Sequence, residues 1–140
     1  MALLPRKGLL AIAAVIDVAL HGRGRPVSAK ALAARHALPA RHLEPVLQAL
    51  VRMGILKGIR GPRGGYELAR ERRRITADEI LRAASTIEDG RDTAPSTSAL
   101  LNSVVIPAVA QAERAFATAL GRISLDELVR RAEPFKDAMV

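Results

Sequence analysis

The sequence predicts a mainly α-helical chain with one small β-hairpin and a long C-terminal helix. Three observations carry that prediction. Leu43, Val46, Leu47, Leu50 and Val51 recur at helical spacing as one apolar stripe. A turn-rich segment, "IRGPRGGYEL" (59–68), lies just beyond it between short apolar runs. From Ala99 to Leu120 a longer helical pattern resumes.

Each element follows from its residues. Positions 6–20 are rich in Leu, Ala, Ile and Val, with no Pro and no Gly after Gly8, which predicts a buried first helix. Its run from Leu9 to Leu20 is apolar except for Asp17. "HGRGRPV" (21–27) is a loop by its Gly and Pro content. Ser28 can cap a short second helix, "AKALAARH", by accepting a backbone N–H bond. "ALP" (37–39) then breaks the chain before the third helix.

On that third helix Arg41, Pro45, Gln48 and Arg52 fall opposite the apolar stripe, with Glu44 on its flank. Gly54 supplies the residue that ends it. "ILKGIR" and "GYELA" read as two short strands around "GPRG". Thr76 and Glu79 in "TADE" form a capping box for a helix through about Ala84. "EDGRDTAPSTS" (88–98) is polar and turn-rich, a linker or loop. Pro107 is expected to bend or restart the helix over 99–120, and "SLDE" (124–127) opens a last short helix. The resulting division is a first unit over 1–86, a linker over 87–98, and a C-terminal helical unit over 99–140.

Charge separates the two units. Residues 1–82 hold 16 Lys and Arg against 6 Asp and Glu, a balance of +10, whereas residues 83–140 hold 6 against 8, a balance of −2. A basic first half points to a polyanionic partner. Aromatic residues make up only 2% and Trp is absent, so the core must be built from Ala, Leu, Val and Ile. So few bulky side chains make a lone monomer marginal and a dimer attractive. Cysteine is absent, which excludes disulfides, thiolate metal sites and cysteine nucleophiles. The run Leu9–Leu20 is too short to span a bilayer and is interrupted by Asp17, so the expectation is a cytoplasmic protein with no membrane partner.

Two helices joined by a three-residue break, followed by a Gly/Pro hairpin, make a winged helix-turn-helix. The second of the two helices suits the major groove, where each base pair presents a distinct donor and acceptor pattern. The hairpin tip can reach the neighbouring backbone or minor groove. Arginine suits a narrow minor groove, and glycine lets the backbone approach phosphates.

The segment "RHLEPVLQALVRMGILKGIRGPRGGYELA" (41–69) resembles the signature of the Rrf-two family of bacterial winged-helix regulators. "KGLLAIAAVIDVAL" (7–20) is similar to that family's first helix, and "ITADEILRA" (75–83) to its post-wing helix. The resemblance implies a homodimer on an imperfect palindrome, with Ala99–Leu120 as the dimerisation helix that crosses to the partner. It also implies that Glu44 accepts a hydrogen bond from cytosine and that Arg41 stands at a base-reading position. Arg60 matches a wing arginine that enters the minor groove, and Gly61, Gly64 and Gly65 match the glycines of the wing turn. Arg63 is expected to contact phosphate. The candidate contacts to double-stranded DNA are Ser28, Arg41, His42, Glu44, Pro45, Gln48, Arg60, Arg63, Gly64 and Gly65.

The chain departs from the family pattern at several positions. Pro45 lies inside the recognition helix, where it removes a donor, threatens a kink and offers an apolar ring suited to a thymine methyl. Ala37 takes a turn position where Gly is usual, which predicts a tighter or strained turn. Cluster-binding relatives carry three cysteines before the dimer helix, and some add an acidic ligand where this chain has Leu9. Without cysteine a thiolate-held iron–sulfur cluster cannot form, and no cofactor is expected.

Other clusters carry less. His36 and His42 flank the break six residues apart, which matches no standard zinc spacing. "RERRR" (70–74) reads equally as a solvated charge run or as a set of phosphate contacts. The acids of the two capping boxes are explained by capping and the helix dipole, and no catalytic set emerges. The sequence therefore predicts a DNA-binding transcriptional regulator that is not an enzyme, acting as a homodimer on a palindromic operator, with repression the expected mode. The alternative is a winged-helix module that binds a protein and no longer reads DNA. The effector, placed at the linker and the Pro107 region, is a small ligand, a partner protein, or absent.

Overall fold

The computed structural model describes residues 6–87 and 99–136. The expected linker over 88–98 lies outside them. The elements run α1 (Arg6–His21), α2 (Ala29–Arg35), α3 (Ala40–Arg52), β1 (Leu56–Ile59), β2 (Gly65–Leu68), a 3-10 turn (Arg72–Arg74) and α4 (Ala77–Ser85). A π-helical turn (Leu101–Val105), α5 (Ile106–Gly121), α6 (Leu125–Ala132) and a final 3-10 turn (Glu133–Phe135) follow. The chain is mostly helical with a two-stranded antiparallel hairpin, the architecture of a winged helix.

The apolar stripe of α3 does what its spacing dictates. Leu43, Val46, Leu47 and Leu50 are buried, along with Ala49. Each large aliphatic side chain contributes about 1.5–3 kcal/mol when removed from water. They meet Ala11, Ala14, Val15 and Val18 of α1 and Ile80 and Ala83 of α4 in one core. Leu125 and Val129 of α6 join the same core, so the end of the chain returns to pack beside its beginning.

That return is stitched at the backbone. Ala77 N–H donates to Ile123 O at 2.9 Å and Leu125 N–H to Ile75 O at 2.8 Å, which sets the starts of α4 and α6 side by side. Both starts are capped as the sequence requires, Thr76 accepting from Glu79 N–H and Ser124 from Glu127 N–H. The acids of the two boxes do not reach back to the caps. Glu79 pairs with Arg70 and Glu127 with Arg131.

Helices α2 and α3 end in the same way. After α2, Ala37 N–H donates to Ala34 O and Leu38 N–H to Ala33 O; after α3, Gly54 N–H donates to Val51 O and Ile55 N–H to Leu50 O. This is the Schellman closure, which needs a left-handed residue. Gly54 supplies it at φ 74°, and Ala37 at φ 52°. The strain expected at Ala37 therefore has a definite form: a Cβ-bearing residue held where glycine is at ease.

Two prolines behave differently. α3 runs from Ala40 to Arg52 as one helix with Pro45 inside it. The donor that Pro45 lacks would have served the Arg41 carbonyl on the exposed face, where water can replace it. Pro107 instead restarts its helix. It lies in the first turn of α5, directly after the π-helical turn that absorbs the mismatch.

Candidate nucleic-acid interface

The buried stripe of α3 leaves Arg41, His42, Glu44, Pro45 and Gln48 exposed on the other side. This is one continuous face of polar and basic groups with a proline ring set into it. Arg41 and Glu44 have no side-chain partner among the described residues. The α3 start is capped only by Pro39, which offers no side-chain bond. Of its first-turn N–H groups, that of His42 donates to Pro39 O at 3.0 Å, and those of Ala40 and Arg41 are left for solvent or an anion.

The wing stands beside this face. β1 and β2 pair in the register Leu56↔Leu68, Lys57↔Glu67, Gly58↔Tyr66 and Ile59↔Gly65. At the tip, Gly64 N–H closes a turn on Gly61 O at 2.9 Å, and Gly61 takes φ 114°. That turn leaves Arg60 and Arg63 exposed, without side-chain partners among the described residues.

A second tie fixes the wing to the helix-turn-helix. Val27 N–H donates to Tyr66 O at 2.9 Å and Tyr66 N–H to Val27 O at 2.8 Å. This bridge brings β2 so close that a Cβ on Gly65 would sit 2.4 Å from Val27 O. Gly64 is equally confined, since its Cβ would lie 2.1 Å from Ile59 O. These two candidate residues are thus required by the backbone itself. Immediately after Val27, Ser28 Oγ accepts from Ala31 N–H at 3.0 Å. Its hydroxyl proton stays available for a further acceptor.

The geometry gathers most of the candidates in two places, with Arg63 in a third and Glu44 on the exposed face of α3 outside all three. Ser28, Gln48, Arg60, Gly64 and Gly65 line one cleft of about 440 Å³ between α3 and the wing. Arg41, His42 and Pro45 lie at the other end of α3, toward α1. Arg63 lines a separate basic hollow of about 790 Å³ together with Arg25 and Arg35.

The residue that sequence reasoning passed over is Asp17. It has no exposed surface. Arg35 grips its carboxylate with two bonds, Nε to Oδ2 at 2.9 Å and Nη2 to Oδ1 at 2.7 Å. His36 Nε2 donates to Oδ2 at 3.0 Å, and His21 Nδ1 lies 3.3 Å from Oδ1 and 3.2 Å from the Asp17 carbonyl. Since only acceptors face them, both imidazoles must present an N–H there. The unpartnered Nε2 of His21 is then a bare acceptor, the cheaper of the two groups to leave buried. Hydrogen bonding and charge from Asp17 raise the Arg35 pKa against the opposing pull of burial. The hub locks the end of α2, and with it the turn before α3, onto α1. A lone acid inside an apolar helix, with His21 one turn later and Arg35–His36 closing the next helix, was the available signal.

The basic run after the wing divides. Arg70 donates from Nε to Gly54 O and from Nη1 to Arg74 O, and pairs with Glu79 at 2.7 Å. Arg72 lies 3.5 Å from Asp126. Arg70 and Arg72 are therefore structural clasps. The side chains of Arg73 and Arg74 are exposed and have no partner among the described residues.

Among the described residues no group of three or more His, Asp and Glu could hold a metal ion, and no helix is long and apolar enough to cross a membrane.

Comparison with known proteins accords with this geometry. The family model of Rrf2, described as iron-dependent transcriptional regulators, matches residues 4–131. The chain is 31% identical over 135 residues to the HTH-type transcriptional regulator IscR of Xenorhabdus nematophila, covering 93% of this chain and 80% of that protein. It is 32% identical over 136 residues to the putative HTH-type transcriptional regulator slr0846 of Synechocystis, covering 96% and 92%. Among solved structures, IscR of T. potens superposes with a TM-score of 0.71 at 29% identity, covering 92% of this chain and 87% of the other. CymR, the global cysteine regulator of B. subtilis, superposes at 0.68 and 24% identity, covering 91% and 96%, which supports the fold. The iron in the family description finds no thiolate here, because the chain has no cysteine and its residues do not fit a cysteine-held cluster. With the family match spanning residues 4–131 and two regulators above 30% identity along nearly the whole chain, this protein belongs to the Rrf2 family of DNA-binding transcriptional regulators.

Proposed function

We propose that the chain acts as a homodimer, inserting α3 of each protomer into one half-site of a palindromic operator while the wing clamps the flank. The observation that carries this reading is the uncommitted face of α3, whose Gln48 shares one cleft with an uncommitted wing arginine, Arg60. Glu44 can accept from a cytosine amine, Arg41 can donate to guanine, and Pro45 can meet a thymine methyl. Arg60 enters the minor groove, while Arg63 and the backbone at Gly64 and Gly65 approach phosphates. Residues 1–86 form the reading unit, 87–98 the connection and 99–140 the dimerising segment. α5 supports the last role, since it fully buries none of its own side chains, and Ile106 and Val109, with Val105 just before them, are about half exposed. Two half-sites then lie one helical turn apart or a small multiple, ~34 Å each. Repression is the mode with the fewest requirements, because a dimer seated on a promoter excludes polymerase without a dedicated contact to it.

Gel shifts on the chain's own upstream region, at two salt concentrations, test the reading. A saturable complex with two protomers per site, weakened in Arg60→Ala, is expected. No specific shift at either salt, with Arg60→Ala indistinguishable from the parent, would sink it.

A further inference from the structure

At the end of α3 away from the wing, a cavity of about 950 Å³ opens between α3 and the first turns of α1. This is near the upper end of the ~300–1,000 Å³ typical of small-molecule sites. Its floor is aliphatic, formed by Leu9, Leu10, Leu38, Pro45 and Val46. Its rim carries Arg6 from α1 and Arg41 from α3, with the His42 imidazole beside them. Among the described residues no acidic side chain lines it. An apolar body in such a site is held by area, and a small number of charged groups at the mouth select the head group.

We infer that this cavity binds a small hydrophobic organic acid, one carboxylate on an aromatic or branched aliphatic body, and that its occupancy weakens operator binding. The chemistry follows from the lining: the body lies on the leucines and Pro45, and the carboxylate meets Arg6 and Arg41. The regulatory half rests on the proposed role of α3. Arg41 and Pro45 belong both to the cavity and to the outward face of that helix. A carboxylate that engages Arg41 withdraws it from a base edge or phosphate. A ligand that favours one of two positions of such a group must be disfavoured when the other site is filled, and the coupling is reciprocal.

The test uses 1-naphthoate as probe and 1-naphthalenemethanol as its uncharged analogue, titrated calorimetrically into the full chain without DNA. Saturable binding of 1-naphthoate is expected, with the alcohol at least about tenfold weaker, which is roughly 1.4 kcal/mol. Leu9→Glu puts a carboxylate into the aliphatic lining on a side chain that is already 44% exposed, so it should fold and lose the probe. Arg6→Ala should weaken binding, and Arg60→Ala should leave it unchanged. In a second arm, saturating 1-naphthoate should lower operator affinity by roughly 5–150-fold, the usual span of coupling between sites. Absence of saturable binding, equal binding of the alcohol, or parental binding by Leu9→Glu would each overturn the site. So would loss of binding as protein concentration rises, because a second copy would then be filling the cavity. Probe binding with operator affinity unchanged would overturn the regulatory half. Because the first arm contains no DNA, its outcome is independent of whether the operator reading holds.

Discussion

Arg35 holds both carboxylate oxygens of Asp17, at 2.9 and 2.7 Å, across the contact between α1 and α2. The carboxylate is fully buried, whereas the guanidinium keeps a small exposed fringe. Removing the guanidinium leaves a desolvated charge with histidine partners only, and breaking a buried pair in this way costs about 3–5 kcal/mol. Arg35→Ala should therefore lose about that much stability in urea unfolding. Asp17→Ala should lose a similar amount, and the double variant should lose less than the sum because the two share one interaction. The Arg35 pKa is raised, so its contribution is complete below the unfolded value and is lost only when pH climbs through the folded one. The link therefore persists throughout the neutral range. Strict additivity in the double variant would show that the pair is not coupled.

Ala37 and Gly54 occupy equivalent positions in two copies of one closure, at φ 52° and 74°. A left-handed alanine costs about 1–2 kcal/mol, and glycine returns about 0.5–1 kcal/mol of that as chain entropy. Ala37→Gly should raise stability by roughly 0.5–1 kcal/mol, and Gly54→Ala should lower it by a similar amount. A Cβ at Gly54 meets nothing within 4 Å, so its penalty is conformational alone. Thermal unfolding of both variants checks the pair, and a destabilised Ala37→Gly would refute the strain.

The wing depends on a missing methyl group. In Gly65→Ala the new Cβ would lie 2.4 Å from Val27 O and 2.5 Å from Val27 C, which backbone atoms cannot accommodate. The Val27–Tyr66 bridge must open, and the wing then loses its fixed position beside α3. Operator affinity measured by fluorescence anisotropy should fall at least about tenfold, roughly 1.4 kcal/mol, while helical circular dichroism is retained. Parental affinity in this variant would show that the wing does not contribute to binding.

Within "RERRR" the residues split by role. Arg70→Ala removes bonds to two carbonyls and to Glu79 and should cost about 1–3 kcal/mol of stability. Arg73→Ala and Arg74→Ala should stay within about 0.5 kcal/mol of the parent, as surface changes do. Where either reaches phosphate, the slope of log affinity against log salt should fall by about one. Unchanged slopes in both would assign these two side chains to solvent.

Periodicity and punctuation explain what was legible in the sequence. The α3 stripe, the Ser28, Thr76 and Ser124 caps and the Gly/Pro hairpin are all local signals, set by neighbours within a few residues. Pro107 as a helix restart belongs with them. Asp17 is different. Its partners lie 18 and 19 residues away, and only the packing of α2 on α1 brings them together. The clasp of Arg70 on Gly54 and the stitching of α4 to α6 depend on tertiary contact in the same way. At Pro45 the local rule against proline is overridden, since α3 continues through it with the unserved Arg41 carbonyl on the exposed side.

α5 carries the clearest quaternary signal, and it can be tested without touching the DNA face. Val105 and Val109 lie one turn apart and are 42% and 50% exposed. Leu100, Val104 and Ile106 near them are exposed too, so this stretch carries several apolar side chains in contact with water. A monomer gains nothing from such a surface in water, whereas a second copy buries it at about 25 cal/mol per Å². In Val105→Glu and Val109→Glu a carboxylate would have to be buried on association, at a cost of several kcal/mol without a partner. Neither side chain belongs to the buried core, so the fold should survive. Light scattering after size exclusion should show the parent as a dimer and the double variant as a folded monomer. Operator binding should fall with it, because each half-site must then be held alone. A double variant that remains dimeric with parental operator affinity would exclude α5 as the dimerisation helix.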